Sequence, residues 1–411
     1  MKTSPTSASG FRGRIVFIDV LRAYAILMML QGHFVDTLLA EPYRQADSWL
    51  YYCWSFLRGM TAPIFFTVTG LVFVYLLLRS GTAWSDNKRV GKGLRRGLYL
   101  IGVGYALKLC LPQLLSGHIS SWFWATDVLH IIGLALICLV AIGSLREYLG
   151  GSLLLWMLLG GAVFFLVDPY FTENSWADWP RFLAHYFTRD YGSNFTAVPW
   201  LGFACWGGAL GYLLSRQPQW AFSHWFPMLL LAFGFTLHFR SGQLLVNLYE
   251  LTGWDYLPIL YNNNYLFWRL GHVLVVMGVF MWGIARLARV PALLTKIGGE
   301  TLTIYGVHYV VLYGTWLGVG LSSLIGYRSL TPVPTIIGAL LFVLAHVLLI
   351  AYIEEVREWI YVILPARLRL AYRRARVWHL RYSPRFWQQC TAHFLQLPRL
   401  RLFSFVRKHV N

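Results

Sequence analysis

FIDVLRAYAILMMLQGHFVDTLL, residues 17–39, is long and apolar enough to cross a bilayer, yet it carries Asp19, Arg22 and His33. An ionisable group at membrane depth costs at least ~2.5 kcal/mol on insertion scales, so it faces protein or water and marks a function. Arg22 and His33 stand eleven residues apart. That is about three helical turns and ~16 Å of rise, which brings both to nearly the same face. Asp19, one turn before Arg22, is placed to pair with it. Such a helix sets a fixed cation near one membrane surface and a titratable imidazole toward the other, a layout suited to chemistry carried across the membrane.

The rest of the chain fits that helix. Of 411 residues, 57% are hydrophobic, 17% aromatic and 13% charged, whereas soluble domains carry about 25% charged residues. Repeated apolar runs near twenty residues define an all-α, polytopic membrane bundle. The excess of 35 Lys and Arg over 17 Asp and Glu, a net +18, lies between and after the apolar runs. It therefore reads as a topology signal and not as a nucleic-acid surface. Asp19 and Arg22 interrupt the first run too early for a cleavable signal peptide. Cys53, Cys110, Cys138, Cys205 and Cys390 show no metal-ligand or disulfide spacing, so no metal is expected.

About ten spans are predicted: residues 14–39, 60–78, 97–115, 127–145, 149–168, 197–214, 224–240, 267–287, 301–321 and 334–354. The stretch 79–96, with Lys88, Arg89, Lys92, Arg95 and Arg96, is the clearest cytoplasmic marker, and it places both termini inside. Three regions follow: a disordered cytoplasmic start at 1–13, a transmembrane domain at 14–356, and a basic, aromatic tail at 357–411. The tail interleaves Arg367, Arg369, Arg373, Arg374, Arg376, Arg381 and Arg385 with Tyr372, Trp378, Tyr382, Phe386 and Trp387. That composition suits a helix on an anionic leaflet, with membrane lipids as partners. Glycines inside spans, such as Gly102 with Gly104 and Gly207 with Gly211, read first as packing positions.

Asp19-Val20-Leu21-Arg22, ten further residues and then His33 resemble the first-helix signature of the transmembrane acyltransferase superfamily. Within it the chain is most similar to the bacterial branch of heparan-alpha-glucosaminide N-acetyltransferase-like proteins. Ala62-Pro63-Ile64-Phe65-Phe66 with Gly70, Val198-Pro199-Trp200-Leu201-Gly202 with Gly207 and Gly211, and Ile297-Gly298 with Leu302, Tyr305 and His308 carry the resemblance on to about residue 355. Ala23 stands where the family usually has Gly, and residues 40–59 hold no His, so His33 carries the whole imidazole role. The resemblance implies acetyl-CoA as co-substrate, an acyltransferase of the inner membrane, and a homodimer by analogy with the eukaryotic enzymes.

In that reading His33 is the general base, since neutral imidazole is the usual one at pH 7, and Asp19 stands with it in the catalytic set. Arg22 either binds the donor's phosphates or polarises its carbonyl while pairing with Asp19. Tyr305 and His308 are assigned to the donor. Three further polar sets, Asp127 with His130, Arg269 with His272, and His346, also lie at membrane depth and read first as structural hydrogen-bonders. Trp176 and Trp179, in an aromatic and acidic stretch at 168–195, and Trp200 are candidates for the acceptor, because aromatic faces suit sugar C–H surfaces. The expected reaction moves an acyl group from cytoplasmic acyl-CoA to a hydroxyl or amine of a saccharide or lipid-linked acceptor at the outer face. A transporter or flippase for a polar or lipid-linked solute is the alternative, and a non-catalytic scaffold the third. A transporter calls for discontinuous helices and often a repeat, neither of which stands out. Walker, GxSxG and HExxH motifs are absent.

Overall fold

The computed structural model describes residues 16–45, 48–174, 176, 178–287 and 289–375. The start at 1–13 and the tail from Arg376, including Cys390, lie outside the described residues. The chain divides into two units, 1–350 and 351–411. In the second, a helix Ile353–Glu358 runs into a π-helical turn Trp359–Ile363 and then a helix to residue 375.

The first unit is helical throughout, with eight described helices long and apolar enough to cross a membrane. They are built on α1 (Val16–Leu38), α2 (Thr61–Leu78), α4 (Val128–Leu149), α5 (Leu153–Leu166), α6 (Ala197–Arg216), α7 (Trp225–Thr252), α8 (Tyr265–Ile284) and α10 (Pro332–Ala351), with α2, α4 and α5 extended by adjoining short helices to the spans Trp49–Leu78, Ser121–Leu149 and Leu153–Glu173. The other two expected spans correspond to α3 (Lys88–Lys108) and α9 (Thr301–Tyr313). Multi-pass membrane insertion follows from this set.

Several boundaries move for local reasons. α3 starts nine residues earlier than its apolar run, because the Asn87 side chain accepts a hydrogen bond from the Arg89 N–H and caps it. The basic stretch expected to be a loop is therefore the first turns of a helix. α7 runs to Thr252, where Gly253 turns left-handed at φ +62°, and α9 stops early at Gly314, φ +71°. The stretch 40–59 contains a helix, Trp49–Arg58, and 168–195 contains two short ones, Asp168–Glu173 and Arg181–Phe187.

Loops after the odd-numbered helices meet at one end. Ala40 N–H donates to Leu330 O at 2.9 Å, and Leu111 N–H to Trp316 O at 2.8 Å. α1, α3 and α9 thus end together, as an up-and-down bundle requires. At the centre α2 lies along α6 at backbone contact. A Cβ on Gly70 would fall 1.9 Å from Ala204 O, and one on Gly207 would fall 1.8 Å from Thr67 O. Without a hydrophobic drive between helices in lipid, this close approach supplies the packing energy. The helix Ala292–Gly299 docks on the first turn of α1 in the same way, with Gly298 against the Asp19 carbonyl.

Candidate functional site

The bundle encloses a cavity of about 1150 Å³ lined by α1, α2, α3, α4, α6 and α9. One end holds Arg22 with Arg89, Lys92 and Arg96 from the first turns of α3. The other holds Asp36, Arg44, Arg58, Arg189 and Arg328, beyond the C-terminal half of α1. His33 lies between them, with Tyr305, Tyr309, Tyr313, Asp127 and Trp200. The volume exceeds the ~300–1,000 Å³ of most small-molecule clefts, which leaves room for two reactants.

Arg22 and His33 share the cavity face of α1, as their spacing predicts. Arg22 donates from Nη2 to Thr301 Oγ1 at 2.8 Å, tying the first turns of α1 and α9 together. His33 Nδ1 lies 3.1 Å from the Tyr313 hydroxyl. With the proton on Nδ1 donated to that oxygen, Nε2 is left as a basic lone pair for the cavity. His308 backs the ring of His33, stacked at 5.2 Å between centroids and 28° between planes. His308 is fully buried and does not line the cavity. Tyr305 meets His308 edge-on at 4.9 Å and reaches the cavity itself.

The remaining expected residues are spread more widely. Asp19 is buried where Gly298 docks and is not part of the cavity wall. Trp200 lines the cavity and packs on Phe66 and Phe195. Trp176 and Trp179 belong to a separate aromatic stack with Phe171 and Phe187, and Trp176 donates its indole N–H to Phe171 O at 3.0 Å. The cavity does not reach either of them.

Asp127, read first as a structural hydrogen-bonder, lines the cavity, and Asp36, Tyr309 and Tyr313 line it without having been expected there. Asp127 caps α4, accepting from Val128 N–H at 2.6 Å, while its other oxygen accepts from the Tyr309 hydroxyl at 2.9 Å. Its place on the wall follows from that tyrosine on α9. Tyr305, Tyr309 and Tyr313 recur every four residues, one helical stripe, and that period was the available signal. Asp36 comes three residues after His33 on the same face of α1. It forms ion pairs with Arg44 at 3.1 Å and with Arg58. Behind the cavity wall and not part of it, Lys108 is buried, donates to Ala125 O and sits 4.8 Å above the ring of Trp122, which does line the cavity. By contrast, Arg269 donates to Phe56 O at 3.3 Å, and His346 bonds Phe342 O at 2.8 Å, both as structural partners.

Residues 14–249 match the family model for heparan-alpha-glucosaminide N-acetyltransferase, catalytic. No curated protein matches the chain. The matched span includes Asp19, Arg22, His33 and Trp200 and ends before Tyr305 and His308.

Proposed function

This chain belongs to the family of heparan-alpha-glucosaminide N-acetyltransferase catalytic domains, and on that premise we propose that it acetylates a saccharide or lipid-linked acceptor. The donor is cytoplasmic acetyl-CoA, bound at the Arg22 end of the cavity. Four cations there, with no carboxylate among the described residues lining the same end, suit a polyphosphate chain. The acceptor enters from the opposite face, and Trp200 supplies an apolar surface beside its path. The observation that carries this reading is His33, its Nδ1 held by Tyr313 and its ring on the wall between the two cationic ends.

The residues then divide the work. The acceptor's amine or hydroxyl attacks the thioester carbonyl while His33 Nε2 takes its proton. As the C–S bond breaks, the imidazolium returns that proton to the departing thiolate, so the histidine is neutral again at the end. In the tautomer whose Nδ1–H donates to the Tyr313 hydroxyl, Nε2 is the nitrogen left as base. An acyl-His33 intermediate is the two-step variant of the same geometry. The bundle works in an inner membrane as a homodimer, its basic second unit against lipid.

The test follows labelled acetyl from acetyl-CoA to acceptors in membranes containing the wild-type protein. Transfer is the expected result. Solute flux without transfer would establish the transporter instead. Orientation is checked by reporter fusions: sites after 215 and 290 should read cytoplasmic and one near 180 external. A periplasmic reading at 290 overturns it.

A further inference from the structure

We infer that a small chamber beside Tyr313, separate from the main cavity, is a binding site for one small monovalent anion, a halide or a short carboxylate. The chamber measures about 130 Å³ and lies between the end of α3 and the loop that follows α9. At ~30 Å³ for each water in the liquid, that is room for a halide with a few waters, or for one acetate. Trp122 and Tyr313 line both the chamber and the main cavity, so the two spaces share a partition.

The basis is chemical. Among the described residues lining the chamber, Lys108 alone carries a charge, and it is only 3% exposed. A buried ammonium is costly unless it is paired. Lys108 gives one of its three N–H groups to Ala125 O and lies over the Trp122 ring, and among the described residues no carboxylate forms an ion pair with it. The charge of Asp127 reaches it, but Asp127 lines the main cavity and spends its oxygens on the Val128 N–H and the Tyr309 hydroxyl. Thr315 lines the chamber too, 8% exposed, with a buried hydroxyl that has no hydrogen-bond partner among the described residues. On the more open side, Ser120 Oγ accepts from the Trp122 N–H at 3.2 Å and keeps its own hydrogen to donate. An ammonium and two hydroxyls with hydrogens to give thus border one space, and a single negative charge satisfies all three.

The plain alternative is that Lys108 only clamps the turn before Asp127 through Ala125 O. A clamp needs one N–H, and it accounts for neither the Thr315 hydroxyl nor the backbone beside it. Trp316, also on the chamber wall, has φ +66°, a left-handed conformation unfavourable for a side-chain-bearing residue. It is held there because its N–H donates to Leu109 O at 3.0 Å, its carbonyl accepts from the Leu111 N–H at 2.8 Å, and its indole N–H donates to Ala106 O at 2.8 Å. These bonds fasten the loop carrying Thr315 to the end of α3, which carries Lys108. Strain maintained at the wall of a chamber is a mark of function. The shared partition gives the site a consequence. Tyr313 meets His33 Nδ1 from the cavity side, so an anion on its other side braces the residue that holds the base.

The experiment uses the full chain in detergent and follows thermal unfolding as sodium bromide, chloride or acetate replaces sodium gluconate at constant ionic strength. Gluconate is too bulky for the chamber, so it serves as the reference anion. A small anion that binds the folded protein raises the unfolding midpoint along a saturable curve. The halide and acetate arms then identify which class the site takes, and a saturable rise in either supports it. Lys108→Met should raise the half-saturating concentration at least ~10-fold, the scale of one charge-assisted contact. Thr315→Val keeps the side-chain shape without the hydroxyl and should raise it ~two- to tenfold. That second variant decides the matter where Lys108→Met fails to fold. Midpoints that do not differ from gluconate, or that climb without saturating, overturn the inference. So does a half-saturating concentration unchanged in both variants, which assigns the anion to the arginines of the main cavity. No acetyl transfer enters this measurement, so its outcome is independent of the acetyltransferase reading.

Discussion

Among the described residues two histidine pairs lie within the bundle, and only one of them borders the cavity. His33 on α1 stacks on His308 of α9, hydrogen-bonds a tyrosine and lines the cavity. His272 on α8 bonds His238 on α7, Nε2 to Nδ1 at 3.1 Å, and is no part of the cavity wall. In sequence both are imidazoles inside apolar runs, each at helical spacing from an arginine: Arg22 for His33 and Arg269 for His272. What separates them is where the arginine points. Arg22 reaches the cavity, whereas Arg269 turns to the Phe56 carbonyl and lies 5.1 Å over that residue's ring. A polar group at membrane depth has to be satisfied, and another histidine satisfies it as well as a substrate does.

The strongest way to break this contrast is to remove His33. His33→Ala should keep the folded protein and acetyl-CoA binding while lowering acetyl transfer by at least ~100-fold, the low end for loss of a general base. Labelled transfer in membranes reads it, and a wild-type rate would make His33 a packing residue like His272. Next in size is Arg22→Ala. Losing one cation–phosphate contact should weaken acetyl-CoA binding by ~1.5–3 kcal/mol, roughly 10- to 150-fold. Equal calorimetric affinities for mutant and wild type would leave Arg22 as the tie to Thr301 alone. Smaller still is Tyr313→Phe, which deletes the neutral hydrogen bond to His33, along with a long one from Thr37, and should slow transfer roughly two- to tenfold at ~0.5–1.5 kcal/mol. Its signature is a lower kcat at unchanged acetyl-CoA affinity. A pure rise in KM would argue that Tyr313 touches substrate and does not hold the base.

The fold was largely legible in the sequence because apolar length reports membrane spans directly. α1 shows the same for part of the site: a spacing of eleven residues put Arg22 and His33 on one face, and both line the cavity. Spacing failed where contacts cross helices. Nothing local marks Tyr309 as the partner of Asp127, 182 residues away, or sets Arg58 against Gly32. Trp176 and Trp179 have the composition of a sugar platform, yet their stack satisfies itself, and composition carries no direction. The basic run at 88–96 was legible as charge, but its use as a cavity wall depends on α3 beginning at Lys88, capped by Asn87.

The smallest expected effect on transfer is the sharpest test of the comparison, because it concerns the pair that should not matter. His272→Ala leaves His238 Nδ1 without its partner and removes the edge-on contact of His272 with Phe56, 5.0 Å between centroids. An unsatisfied, partly buried polar group costs ~1–3 kcal/mol, so thermal stability should fall measurably. Transfer per folded molecule should stay within about twofold, the ~0.3–0.5 kcal/mol expected of sites that share no partner. The route by which this could fail is specific. Phe56 lies in the helix Trp49–Arg58, two residues before the Arg58 that lies against Gly32 and lines the cavity. If His272→Ala lowers transfer tenfold while His272→Phe, which keeps a ring against Phe56, restores it, the second pair acts through that helix on the acceptor's entrance. The two histidine pairs would then be one device, with the α7–α8 side setting the position of Arg58 and His33 performing the chemistry beneath it.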